Sequence, residues 1–168
     1  MGSKDADTFR LIALAWLRFG DNTNAMVALQ DMEKANFKAD DVFADAAKDL
    51  LDHGYLAEAK TLMEKAWKVK PKNDSICKDF AFAMVNLDLQ EDADLWMERA
   101  RAADPKDWAK DWGNCLAFAR AAHQHHMRDL AAKWFVRAIT ARPKKEHVWT
   151  DIATMFAEQQ ETAAPKSK

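Results

Sequence analysis

The amino-acid sequence predicts an all-α protein, a right-handed α-solenoid of about four helix–turn–helix units with a C-terminal capping helix. Three observations carry that expectation. Helix-breaking residues are scarce, apolar helical faces recur with a 34-residue period, and glycines and prolines fall where that period needs turns.

Of the 168 residues, 49% are hydrophobic and 31% charged, with only four Gly and four Pro. Such a mixture, rich in Ala, Leu, Lys and Glu, favours helix almost throughout, and the length suffices for one domain with a substantial core. Lys and Arg number 25 against 27 Asp and Glu, a formal net charge of −2. That balance makes a nucleic-acid partner unexpected while leaving room for a local basic patch. No run approaches the ~18 apolar residues of a membrane span. The stretch from Phe9 to Leu17 is interrupted by Arg10 and closed by Arg18. Cys77 and Cys115 form neither a disulfide framework nor a zinc-ligand spacing, which suits a reducing compartment, cytosol or nucleus. Residues 1–7 and 159–168 read as flexible ends around a repeat domain at 8–158.

The first helix of each unit carries an apolar residue, then an apolar residue and Ala three and four positions on, then a further apolar residue. It reads Phe9-Ile12-Ala13-Trp16, Phe43-Ala46-Ala47-Leu50, Cys77-Phe80-Ala81-Met84, Cys115-Phe118-Ala119-Ala122 and Trp149-Ile152-Ala153-Phe156. Steps of three and four lie on one helical face. The alanines are 34, 34, 38 and 34 residues apart. A second helix follows each of the first four, with faces Ala25-Leu29-Met32, Ala59-Met63-Ala66, Ala93-Met97-Ala100 and Ala131-Phe135-Ala138. Their first alanines are spaced 34, 34 and 38, the same irregular series. Small residues on both faces let the paired helix axes approach closely. Gly20 and Gly54 fall at the turns, where positive φ is needed, and Asp88 and His126 take the equivalent places. Pro71, Pro105 and Pro143 follow the second helices as stops. The four extra residues of the 38-residue spacing fall around Asp107 to Trp112. There they extend the start of the following helix by about one turn; a placement in the turn at His123 to His126 is the alternative.

These residues resemble the tetratricopeptide (TPR) family of 34-residue helix–turn–helix repeats. Gly54-Tyr55-Leu56-Ala57-Glu58-Ala59, then Leu62-Met63-Glu64-Lys65-Ala66 and Pro71, are similar to its turn, second helix and terminal proline. Departures are Cys77 and Cys115 at usually aromatic positions, Phe37 in place of a first proline, and the insertion. A narrower resemblance is to the half-a-TPR (HAT) subgroup of RNA-processing factors. Ala93-Asp94-Leu95-Trp96-Met97-Glu98-Arg99-Ala100 with Pro105 is similar to its second helix, and Ala131 to Ala138 with Pro143 repeats it loosely. The acidic residue that closes the subgroup's first helix is mostly absent here.

The resemblance implies a protein-interaction scaffold, with its concave surface lined by the first helices. Flanking the packed stripe there are Arg10, Leu14 and Arg18; Lys48 and Asp52; Lys78, Phe82 and Asn86; and Arg120, His123 and Gln124. Cations interspersed with apolar groups suit an acidic peptide or helical segment of a protein partner, although ordinary solvated faces would look the same. The subgroup's setting implies pre-mRNA splicing, tri-snRNP bridging and assembly within a ribonucleoprotein. Chaperones' terminal carboxylates, gripped elsewhere in the family by paired asparagines with Lys and Arg, are not matched here. Trp16 and Trp149 fall on the packed stripe and are expected in the core. Trp96 and Trp134 occupy equivalent second-helix positions, either packing between repeats or forming an aromatic docking patch. Trp108 and Trp112, in the insertion, either pack locally or anchor a partner. His123, His125 and His126 lack a completing ligand in sequence, so no metal is expected, and no cofactor motif is present. No nucleophile–base order, phosphate loop or paired carboxylates suggest an enzyme. Direct RNA binding, as in the similar pentatricopeptide repeats, is the rival reading. The N-terminal helix, with Phe9, Leu11, Ile12, Leu14 and Leu17, is apolar on more than one face, which suits stacking on another copy or on upstream repeats.

Overall fold

A computed structural model describes residues 6–35, 40–108, 112–142, 149–154 and 157. Among them every regular element is helical, with α1 (Ala6–Arg18), α2 (Asn22–Ala35), α3 (Asp40–Asp52), α4 (Leu56–Val69), α5 (Asp74–Asn86), α6 (Gln90–Ala103), α7 (Pro105–Trp108), α8 (Trp112–Gln124) and α9 (Arg128–Ala141). Residues 149–154 are also helical. Adjacent helices pack as antiparallel hairpins, the construction of a helical-repeat solenoid. First helices α1, α3, α5 and α8 are each 13 residues long, and second helices α2, α4, α6 and α9 each 14. The N-terminal seven residues were expected to be flexible, but Ala6 and Asp7 already belong to α1. The tail 159–168, Phe37 and Pro143 lie outside the described residues.

The hairpin turn is built the same way four times. Gly20 (φ 76°), Gly54 (φ 82°), Asp88 (φ 58°) and His126 (φ 60°) adopt the left-handed conformation at the four expected positions. The Gly20 N–H donates to the Leu17 carbonyl at 3.0 Å, and the Asp21 N–H reaches back to Trp16 at 2.9 Å. Gly54–Tyr55, Asp88–Leu89 and His126–Met127 repeat both bonds. This is a Schellman ending, which satisfies two terminal carbonyls of the first helix and turns the chain. The residue after the turn then opens the second helix, as in the Ala59 N–H to Tyr55 carbonyl bond at 3.0 Å. At the first hairpin Asp21 adds a side-chain cap, accepting from the Asn24 N–H at 3.0 Å and the Asn24 amide at 2.7 Å.

The insertion was expected to extend the start of α8 by about one turn, and residues 109–111 within it lie outside the described residues. Among the described ones, α8 runs Trp112–Gln124, 13 residues, and Pro105–Trp108 forms the one-turn helix α7 ahead of it. Proline suits the first position of such a turn, because its missing N–H would have no helical partner.

The chain divides into two compact units, Met1–Ile76 and Cys77–Lys168. In the first, Ala13, Ala25, Ala47 and Ala59 are buried where the α1–α2 and α3–α4 hairpins close. Ion pairs bind one hairpin to the next: Arg10 Nη1 lies 2.8 Å from Asp49, and Lys65 pairs with Glu33. Asn73 donates to Asp40 at 3.0 Å. In the second unit, Ala81, Ala93, Ala119 and Ala131 are equally buried, but the surrounding core is aromatic. Phe80 meets Trp96 edge-on at 5.1 Å between centroids, and Phe118 meets Trp134 the same way at 5.3 Å. Trp134 Nε1 donates to Asp94 at 3.0 Å, which keeps the indole's polar atom satisfied.

Candidate functional site

The residues expected to face a groove are best followed one unit at a time. On α1, Arg10 is not a free cation. It is half-buried, with Nε 2.8 Å from Asp7 and Nη1 2.8 Å from Asp49, so it ties α1 to α3. Burial would lower its affinity for the proton, but the hydrogen bonds it donates to the Asp7 and Asp49 carboxylates, with their charges, outweigh that and hold it above its ordinary range. Leu14 and Lys48 are half-buried, whereas Arg18 and Asp52 are exposed.

In the second unit, Lys78 is half-buried with Nζ 6.0 Å from the centroid of the Trp108 ring. Phe82 packs edge-on against Phe118 at 5.5 Å and serves the α5–α8 contact. Arg120 is ion-paired with Asp151 at 2.5 Å. His123 is half-buried on α8, while Asn86 and Gln124 are exposed. His125 Nδ1 lies 3.0 Å from Asp88, and His126 is exposed at its left-handed turn. Among the described residues, no three His, Cys, Asp or Glu side chains are grouped to hold a metal ion. No described helix is long and apolar enough to cross a membrane.

One repeat position stands out from these placements. Arg18, Asp52, Asn86 and Gln124 share it, with the 34, 34 and 38 spacing, and all four are exposed. Each sits in the last turn of its first helix, next to the Schellman turn.

The tryptophan candidates need the largest correction. Trp96 and Trp134 are buried core residues, with Arg99 and Arg137 stacked over their rings at 4.4 and 4.3 Å. Trp108 is also buried, 5% exposed, and meets Trp134 edge-on at 6.3 Å. None of the three can anchor a partner without leaving the core. Trp112, in the first turn of α8, is half-buried. The insertion therefore supplies a lid on the Trp134 core. Around that core Glu98 gathers Arg137, Lys133 (2.9 Å) and Arg101 (3.0 Å). Partial burial pushes its carboxyl up, but hydrogen bonds from Arg137, Lys133 and Arg101 prevail and bring it down to about 2.

The two tryptophans assigned to the core are in fact open to solvent. Trp16 is 38% and Trp149 51% exposed. In the first unit α3 is in contact with α1 as well as with its own second helix α4. Ile12 and Trp16 are each 38% exposed where their counterparts Ala46 and Leu50 are buried. Trp149 and Ala153 are exposed where Phe43 and Ala47 are buried. Leu11 and Phe19 extend the open side of α1, and at 83% Phe19 is the most exposed large apolar side chain described. Sequence periodicity groups Ile12 and Trp16 with core positions, but it does not show what lies opposite them.

No protein-family model matches the sequence, and no curated protein matches it. The class of protein that fold and surface define is an all-α helical-repeat protein made of hairpins with a common Schellman turn.

Proposed function

We propose that the chain is a protein–protein interaction scaffold that holds a partner segment against its first helices. The observation that supports this reading is the exposed repeat position Arg18, Asp52, Asn86 and Gln124. A solenoid that only needed solubility could place any charged residue there. Instead the position offers a cation and an anion in the first unit and two amides in the second, groups suited to hydrogen-bonding a stretch of extended or helical peptide on each unit. The half-a-TPR resemblance of α6 and α9 supports a setting in pre-mRNA splicing, with tri-snRNP bridging as the narrower form. Leu62 to Ala66 and the spacing from Pro143 to Trp149 are similar to the C-terminal repeats of pre-mRNA-processing factor six.

The test is capture from nuclear and cytosolic extracts with the intact chain and with an Asn86→Ala/Gln124→Ala variant. Both positions are exposed, so the variant should melt within about 0.5 kcal/mol of the parent. The expected result is that defined partners, spliceosomal proteins among them, are lost with the variant. Partners that ignore the variant would overturn the surface, and sets without spliceosomal proteins would overturn the setting. Recovery of structured RNA with a steep salt dependence would favour the rival nucleic-acid function.

A further inference from the structure

We propose that α7 is a displaceable strap, which leaves the α8–α9 hairpin as a unit and lets an aromatic side chain of a protein partner take the place of Trp108. The first ground is how little holds α7 down. Residues 70–73 link α4 to α5, whereas residues 104–111 link α6 to α8, so α7 is an addition to the repeat. Pro105 and Lys106 are exposed, and Trp108 carries the burial of this turn. Pro105 has no N–H to give, and the Trp108 N–H closes the turn on the Asp104 carbonyl at 3.1 Å. One buried ring thus offsets the ordering of the whole turn, which places α7 among segments that open locally before the core does.

The second ground is that the hairpin closes without α7. Leu62 and Trp96 stand at the repeat position of Trp134 and are 4% and 2% exposed, with no inserted turn at their units. Trp134 holds Phe118 edge-on at 5.3 Å, Arg137 over its ring at 4.3 Å and Asp94 at 3.0 Å, and none of these contacts involves α7. Opening the strap therefore keeps the hairpin folded and uncovers the side of Trp134 that Trp108 meets. The third ground is the chemistry of the slot so vacated. Trp108 lies edge-on to Trp134 at 6.3 Å, with the Lys78 ammonium 6.0 Å from its own ring centroid. An indole beside it and a cation over its ring recognise an aromatic side chain through the ring's quadrupole. Both groups stand on regular helices, α5 and α9, so the slot keeps its shape when the strap leaves. Lys78 is on a first helix, where the scaffold role places a partner; the partner's aromatic residue rests on that role, and the strap does not.

Native-state hydrogen exchange of the full chain, read by NMR at rising sub-denaturing urea, tests the strap. The Trp108 amide should exchange about a hundredfold faster than the Phe118 and Phe135 amides, at a rate that urea leaves unchanged. Equal protection at all three, with one urea dependence, overturns the proposal. Trp108→Ala then empties the slot, and the amides of α8 and α9 should remain protected. N-acetyl-tryptophanamide, used as the probe, should bind this variant about tenfold more tightly than the parent, where Trp108 competes for the site. Its binding should shift the resonances of Lys78 and Trp134. A variant that loses protection throughout α8 and α9 overturns the strap, because Trp108 is then integral to the core. A folded variant that binds the probe no better than the parent overturns the slot. Probe binding without any partner capture through Asn86 and Gln124 would instead sink the scaffold role and leave the strap and its slot standing.

Discussion

The unit ending at Ile76 and the unit beginning at Cys77 build the same hairpin from different cores. At one second-helix position the chain places Ala28, Leu62, Trp96 and Trp134 in turn, and all four are buried. At the first-helix position that accompanies it stand Ile12, Ala46, Phe80 and Phe118. The second unit therefore repeats a Phe–Trp edge contact, at 5.1 and 5.3 Å, where the first has small aliphatic neighbours. The cations differ correspondingly. Arg99 and Arg137 lie over tryptophan rings, whereas their counterpart Lys65 pairs with Glu33. The lesson is that the 34-residue period specifies backbone geometry and close alanine contacts, and leaves wide freedom over what fills the space beside them.

Truncation should separate the two units most sharply. Trp134→Ala removes the ring shared by Phe118, Trp108 and Arg137, and is expected to cost about 3–5 kcal/mol. Leu62→Ala, the matching change in the first unit, should cost about 2–3 kcal/mol. Urea unfolding followed by tryptophan fluorescence and by far-ultraviolet circular dichroism measures both. Equal losses at the two positions would mean that the aromatic core adds nothing beyond apolar volume. A double-mutant cycle between Phe118 and Trp134 sharpens the point, with an expected coupling of about 0.5–1.5 kcal/mol.

Much of this comparison was legible in the sequence. The alanine series fixed which faces close the hairpins, and every one of those alanines from Ala13 to Ala131 is buried. The turn positions followed from Gly20 and Gly54, with Asp88 and His126 found by counting. The candidate site was less legible, because a linear pattern shows which face a residue occupies but not what lies opposite. Arg10 looked like a free cation until Asp49, one repeat away, came within 2.8 Å. Trp108 lay outside the period and so suggested a docking anchor, yet α7 folds it onto Trp134. Trp16 obeyed the period and is still 38% exposed, because the period gives its face and not what packs against it.

Electrostatics gives a smaller and pH-dependent difference. Glu98 ionises at about 2 in the folded chain, below the 4.5 of an ordinary glutamate. Its folded form is depressed, so its stabilisation is complete above about pH 4.5 and is lost as pH falls toward 2. Glu98→Gln should cost about 1 kcal/mol at neutral pH, a figure held down by the network's partial exposure. The gap between parent and variant should then close on acidification, in thermal melts taken at several pH values. A gap that stays constant down to the acid limit would assign the effect to packing.

The smallest predicted effects lie at the turns, where the two units again differ. The first unit places glycine at both left-handed positions, and the second places Asp88 and His126 there. A side chain in that conformation crowds the following carbonyl at a cost of about 1–2 kcal/mol, less where a short polar group can bond locally. No atom lies within 4 Å of a Cβ built on Gly54, so Gly54→Ala should lose about 1 kcal/mol from backbone strain alone. His126→Gly should gain about 0.5–1 kcal/mol, since the exposed ring gives up little. Asp88→Gly should gain less, because its carboxylate contacts the His125 ring at 3.0 Å and that contact is removed with it. Melting temperatures of the three variants order the effects. A His126→Gly variant no more stable than the Asp88→Gly variant would show that the ring at 126 does more than occupy a turn.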